Sequence, residues 1–449
     1  MNPHTLPRRS FLKGILAAGA APLFLPSRIW SASVGPNEAI RLGFIGCGIQ
    51  SRGLLRGFLS QPNTRVVAAC DVDTQRRDNH KKTIEEFYSK QTAGTFKGCT
   101  THNDFRELLT RNDVDAVVIA TPDHWHAIIA TAAAAAGKDI YCEKPLTNTI
   151  HEASALIQSV QKHGRVLQTG SMQRSMREFR VACELVRNGV IGKISRVHTG
   201  FGGPAKPCDL AGEPVEPGLD WDLWLGPAPR REYNAILSPR GIHTHFPMWR
   251  LYREYGGGMV TDWGAHHLDI AHWGLDADRS GPLEILPPEN ASSASSGARM
   301  RYANGVEVTH IEQNGVTFFG SEGEIYVNRG KFKLTLGGTQ KASFLSKEDK
   351  PLLAEQLDAV EKEYLKDPKV RLVQSTDHKQ DFLASMVSRK PPITDAETGG
   401  RTVIGCHLLG LAYRHGKAMR WNPKALQFES GSGDAAWLHT PYRGDWKLS

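Results

Sequence analysis

The chain reads as α/β in its first half and α+β beyond it, and three observations carry that reading. Strand-like and helix-like stretches alternate from Ala39 to Gln168, which calls for a parallel sheet with helices on both faces. A glycine turn, Gly46-Cys47-Gly48, ends the first strand and opens the first helix. Past residue 300 the pattern changes to short strand runs joined by Asn-Gly and Glu-Gly, the turn chemistry of antiparallel hairpins. At 449 residues the chain exceeds one core, so two domains are expected.

Residues 1–33 read as an address. Arg8 and Arg9 open RRSFLKG, an apolar stretch runs from Ile15 to Leu25, and Ser31-Ala32-Ser33 supplies small residues for cleavage. This is the order of a twin-arginine export signal; retention as an uncleaved anchor is the alternative. An exported, periplasmic protein and a transient partner in the twin-arginine machinery are therefore expected. No apolar run reaches the roughly 18 residues of a membrane span. The formal net charge is +8, and removing the four bases of residues 1–33 (Arg8, Arg9, Lys13 and Arg28, with no acid) leaves +4. No Lys/Arg block stands out, so no nucleic-acid partner is indicated. The seven cysteines are odd in number and form no C-x-x-C, which favours buried thiols over a disulfide framework.

The first strand, within AIRLGFIG, leads into GCGIQSRG and a helix to Leu59. Gly46 permits the tight turn, and Gly48 lets the backbone approach a pyrophosphate held at the helix N-terminus. Ser51 replaces the third glycine of the fingerprint, with Arg52 beside it. The second strand, RVVAACD, ends at Asp71, placed as a ribose-binding carboxylate should be. Its charge would repel a 2′-phosphate, which favours NAD over NADP, although Arg76 and Arg77 lie close. Helices are expected from Thr74 to Ser89 and, capped by Asn103, through Leu109. The strand DAVVIATP ends in Thr121 and Pro122, and a helix runs from His124 to Ala136. Thr121, Pro122 and His126 are candidates to bind the cofactor, His126 on the nicotinamide side, and Asp123 is a candidate for the helix cap. The next strand, DIYC, ends in Glu143-Lys144-Pro145, a rigid turn at the carboxyl edge where open α/β sheets bind ligands.

GFIGCG, ATPDHWH and above all Glu143-Lys144-Pro145 resemble the Gfo/Idh/MocA family. The resemblance implies a Rossmann domain followed by a domain built on a large, mainly antiparallel open sheet, and NAD(P)-dependent oxidation of sugars or cyclitols. It implies that Lys144 contacts both nicotinamide and substrate, with Glu143 beside it. It also implies a homo-oligomer. Exported NAD-dependent glycosidases resemble this chain too, but commonly lack the lysine present here, which favours a dehydrogenase.

The expected boundaries are 1–33 for the signal, 34–165 for the dinucleotide domain and 166–449 for the substrate domain. A sixth strand is expected over Val166 to Gln168. After it, Gln173 and Arg174 in the loop GSMQRS are candidates to face a polyhydroxylated ligand. A helix, Met176 to Asn188, and a strand, Lys193 to Phe201, follow. Gly202 to Arg250 is long and rich in Pro, Gly and Trp, and reads as a lid or sugar-binding wall. In GGGMVTDWGAHHLDIAHWG a helix starting near Asp262 would place Asp262, His266 and Asp269 within about 60° of each other, at 100° per residue, with Trp263 and His267 pointing elsewhere. A histidine flanked by two carboxylates would have a stabilised imidazolium form and a fixed orientation, so its neutral ring could accept a hydroxyl proton. The family's catalytic pair, by resemblance, falls on Asp262 and His266. Zinc at His243-x-His245 plus a helical histidine is the rival chemistry; no metal is expected. Helices are also expected from Asp377 to Ser388 and Arg401 to Met419.

Together these readings predict an exported NAD-dependent oxidoreductase acting on a secondary alcohol of a sugar, cyclitol or glycoside. Lys144, His266 and Asp262 would be catalytic, and Gln173 and Arg174 would join them on substrate. The alternatives are a glycosidase working through transient oxidation and a non-catalytic sugar-binding protein.

Overall fold

The computed structural model describes residues 39–92, 94–346 and 350–449, so the export signal expected over residues 1–33 lies outside the described residues. The first sheet has six parallel strands: β1 (Ile40–Ile45), β2 (Thr64–Cys70), β3 (Thr100–His102), β4 (Ala116–Ile119), β5 (Asp139–Cys142) and β6 (Leu167–Thr169). Their order is β3-β2-β1-β4-β5-β6, so chain direction across the sheet reverses between β1 and β4. Two neighbouring strands are sealed: all four residues of β4 and of β5 are buried, as expected of a sheet covered on both faces. β6 pairs with β5, so the sheet continues past the boundary expected at residue 165.

The flanking helices are α1 (Ile49–Leu59), α2 (Thr74–Thr92), α3 (Phe105–Leu109), α4 (Asp123–Ala135) and α5 (Ile150–His163). The residue capping α3 is Asp104, whose side chain accepts from Arg106 N–H, and not Asn103. α5 has no counterpart in the periodicity reading. Its signal was a capping box: the Thr149 side chain accepts from Glu152 N–H while Glu152 accepts from Thr149 N–H.

The second sheet has ten strands: β7 (Ile194–Gly200), β8 (Glu284–Leu286), β9 (Arg299–Arg301), β10 (Glu307–Ile311), β11 (Gly315–Gly320), β12 (Gly323–Asn328), β13 (Lys331–Leu336), β14 (Thr339–Phe344), β15 (Met419–Asn422) and β16 (Gln427–Phe428). Only β7 and β10 pair in parallel; the other neighbours are antiparallel. Buried residues alternate along β12 and β13, so this sheet lays one face on helices and leaves the other towards solvent. α6 (Arg177–Arg187), α7 (Trp221–Leu225), α8 (Met259–Asp262), α9 (Gly264–Leu275), α10 (Lys350–Tyr364), α11 (His378–Ser388) and α12 (Ala396–His415) complete the fold. One apolar core runs from the first sheet through α6, α9 and α12 to the second.

The long stretch after β7 is ordered by its own aromatic cluster, with Trp221 stacked on Trp224 at 4.6 Å and Tyr233 edge-on to Trp221. It folds back on the turn after β2: Thr74 N–H donates to Gly218 O at 3.0 Å and Asp220 N–H to Val72 O at 2.9 Å. All seven cysteines are free thiols, six of them buried.

Candidate active site

A crevice of about 410 Å³ opens at the carboxyl ends of β1, β2, β4 and β5, at the switch point where such sheets bind ligands. Its floor is the glycine turn. Gly46 has φ +85°, and a Cβ there would lie 2.7 Å from the Ala120 carbonyl carbon and from Thr121 N, so only glycine fits. Above Gly48 a Cβ would meet nothing within 4 Å, and the α1 N-terminus has no side-chain cap. Bare amide groups facing open space are what a pyrophosphate needs. The Asp71 carboxylate accepts from Cys47 N–H at 2.6 Å and from Asp73 N–H at 2.9 Å, which locks it against the turn. Burial pushes this carboxyl above its ordinary value, with Arg76 and the two amides opposing. Cradle and acid together fit the diphosphate and adenosine ribose of a dinucleotide.

Gly46, Gly48, Asp71, Thr121, Pro122, His126, Glu143 and Lys144 all line the crevice. Ser51 and Arg52 do not. Ser51 is fully buried with its Oγ 3.0 Å from His80 Nε2, so it fills the close-packing place of a third glycine and offers no ligand contact. The Arg52 guanidinium is committed to the His243 carbonyl. His126 presents its ring nitrogens to the carbonyls of Pro145, at 2.7 Å, and Thr121, at 3.0 Å. It braces the turn around the cis Lys144–Pro145 bond, and burial lowers its pKa to about 4. Glu143 accepts from Gln50 Nε2 at 2.9 Å.

At the inner end, Lys144 Nζ donates to Asp262 Oδ1 at 2.6 Å and to the Asp262 carbonyl at 3.0 Å, while Arg250 Nε lies 3.4 Å from Asp262 Oδ2. Burial raises the Asp262 carboxyl, but Lys144 and Arg250 outweigh it and hold the group below its ordinary value. Asp123 shows the opposite balance: burial first, then the Asp262 charge, push it well up against Arg250 and Lys144. Burial and the Asp262 charge thus both favour its protonated form on the crevice wall. His266 also lines the crevice, and its Nδ1 has no hydrogen-bond partner. Burial, then the charges of Lys144 and Arg329, hold its pKa well below the usual value, so the imidazole is neutral.

The expected face of Asp262, His266 and Asp269 does not form. The helix breaks at Trp263 into α8 and α9, and Asp262 turns to the two cations. Asp269 points away and binds Arg174 through both oxygens at 2.8 Å. His266 is thus not the stabilised imidazolium that the spacing suggested. Arg174 is not a substrate residue: it is 2% exposed, paired with Asp269 and Asp278, and lies 5.1 Å over the Trp273 ring. Gln173 is also fully buried and acts from behind, donating to the His266 carbonyl at 3.4 Å and accepting from Arg329 Nε at 3.1 Å. Trp263, expected to point elsewhere, lines the crevice, as do Arg250, Arg329 and Asp123. Their only sequence signal was weak: Asp123 read as a helix cap, although Pro122 occupies that place, and Arg329 sits in an unremarked hairpin turn. His243 points Nδ1 at the His245 carbonyl, and among the described residues no group of three or more His, Cys, Asp or Glu gathers as for a metal.

Residues 40–171 match the model of an oxidoreductase family with an NAD-binding Rossmann fold, and residues 206–448, over half the chain, match that family's C-terminal alpha/beta domain. A glycosyl hydrolase family 109 protein of Shewanella sp. (strain ANA-3) is 30% identical over 203 residues, which cover 42% of this chain and 44% of the relative. The chain thus spans less than half the length of that curated relative. Among solved structures, the fold is similar to aldose-aldose oxidoreductase from Caulobacter crescentus (TM-score 0.54, 18% identity, 85% of this chain and 99% of that one). It is equally similar to levoglucosan dehydrogenase in complex with NADH and L-sorbose (TM-score 0.55, 18% identity, 85% and 99%). A switch-point cradle, a Glu-Lys-Pro turn facing it and family models across both sheets lead to one conclusion: the chain belongs to the Gfo/Idh/MocA family of oxidoreductases.

Proposed function

We propose that this protein is an exported NAD-dependent oxidoreductase acting on a secondary alcohol of a sugar, cyclitol or glycoside. The observation that carries the reading is that the Lys144 ammonium and the neutral His266 line one crevice with the dinucleotide cradle. Bound NAD supplies the hydride acceptor. Asp262 holds Lys144 in one place, leaving its remaining N–H directed to a substrate oxygen. His266 is the neutral base present and takes the hydroxyl proton as the carbon–hydrogen bond breaks. Replacing Lys144 with Ala is expected to lower kcat by about 100-fold or more while NAD affinity changes little. Reduction of NAD followed by absorbance against a panel of sugars checks this; undiminished turnover overturns it.

The reading includes NAD rather than NADP. Arg76 is paired with Asp73 at 3.2 Å and bound to the Pro239 carbonyl, and Arg77 is paired with Asp78. Among the described residues both arginines next to Asp71 are thus engaged by an acid of their own, which disfavours a 2′-phosphate there. A titration should show NAD binding at least about 10-fold tighter than NADP.

Export rests on Arg8 and Arg9; replacing both with Lys should hold the protein in the cytoplasm on fractionation. Assembly into a homo-oligomer is part of the same proposal, and light scattering tests it. The second reading, glycoside cleavage through transient oxidation, is supported by the family 109 relative. Release of free sugar from aryl glycosides without net NADH would establish it.

A further inference from the structure

Arg329 is the cation in the crevice without a carboxylate partner. It sits in the turn between β12 and β13, and that turn is pinned: Gly330 N–H donates to Glu178 Oε1 at 2.8 Å, and Arg329 N–H to Asn328 Oδ1 at 2.8 Å. The guanidinium lies 4.8 Å over the Trp263 ring and donates through Nε to Gln173 Oε1. Trp263 in turn packs edge-on against His266 at 5.7 Å. The head group is therefore aimed, half-buried, at the reacting end of the crevice.

A guanidinium carries five N–H donors. One is used here, and no ion pair forms with any acid among the described residues. The neighbouring cations are committed, since Lys144 and Arg250 both hold Asp262. Burial pushes the Arg329 pKa down, with Asp262 and Glu143 opposing only from a distance. A cation left uncompensated in a ligand crevice, on a rigid turn, is a receptor for an anion.

Building on the oxidoreductase reading, we propose that Arg329 receives a carboxylate of the substrate, so that the substrate is a sugar acid rather than a neutral sugar. The free edge of one guanidinium matches the two oxygens of a carboxylate. A phosphate dianion would call for a second free cation, and among the described residues the crevice offers none.

Calorimetry on the full NAD-loaded protein tests this with matched probes: D-glucuronate against D-glucose, D-galacturonate against D-galactose, and D-glucose 6-phosphate. At least one uronate should bind about 10- to 100-fold tighter than its neutral partner. Arg329→Met should abolish that ratio, and Arg329→Lys, which keeps the charge but loses the fork, should restore part of it. Equal binding of acid and neutral partners, binding of no uronate, or a ratio that survives Arg329→Met overturns the proposal. Preference for glucose 6-phosphate over both uronates, lost in Arg329→Met, replaces carboxylate by phosphate and overturns it too. NAD affinity, measured on the same samples, reports folding. It also separates the two readings: a wild-type chain that binds uronate but never reduces NAD defeats the oxidoreductase reading alone.

Discussion

At the scale of single residues, the site is governed by which charges are left paired. Asp262 is held ionised because two cations face it, whereas Asp123, close by, is pushed well up by its burial and by the Asp262 charge, with the same cations only opposing. Opposite consequences follow for the same substitution. Asp262→Asn strips two half-buried cations of their partner and should destabilise by about 3 kcal/mol, with a loss of kcat as Lys144 is released. Asp123→Asn replaces a carboxyl whose charge burial opposes with a neutral amide of equal size and should cost less than about 1 kcal/mol. Thermal unfolding of the two variants distinguishes them; similar losses would mean that Asp123 is ionised. The glycine cradle was legible at this scale because a tight turn and a close backbone approach admit few residue types. Arg329 was not, since an arginine in a hairpin turn resembles any solvated arginine until the crevice is seen around it.

At the scale of elements, two features decide what the helix face means. The break at Trp263 rotates Asp262 out of the α9 register, so a spacing argument built on one continuous helix assigned it the wrong partner. The buried Arg174–Asp269–Asp278 network then ties the loop after β6 to α9. Arg174→Ala would leave Asp269, which is fully buried, without its cation. A loss of about 3–5 kcal/mol is expected in denaturant unfolding, with NAD affinity following only through stability. α5 offers a milder case: Thr149→Ala removes one side of a capping box and should cost about 1 kcal/mol. That box stands in the sequence as Thr149-Ile150-His151-Glu152, so this helix is marked by its cap.

At the scale of the whole molecule, burial of histidine sets the response to acid. Eight histidines among the described residues have their pKa lowered to about 4, burial being the largest cause in each. The unfolded chain takes up these protons near pH 6.5, whereas the native chain refuses them until about pH 4. Stability is thus full above pH 6.5 and falls as the pH drops through that window, by about 1 kcal/mol per histidine at pH 5.5. Carboxyls pushed up by burial, Asp123 and Glu152 foremost, work in the other direction; eight imidazoles outweigh them. Tm should fall steadily from pH 7 to pH 5, and a flat profile would contradict the burial. By itself, the chain's sequence determined the parallel sheet, its glycine turn, the acid after β2, the Glu-Lys-Pro rim and the hairpins of the second sheet. Each of these is written within a few neighbouring residues as periodicity or turn chemistry. Only the tertiary structure decided that Asp262 pairs with Lys144, that Asp269 and Arg174 lie in the core, and that Arg329 faces the crevice unpaired. Those outcomes join residues 95 to 156 positions apart, and electrostatic pairing over such separations depends on packing, which no local pattern encodes.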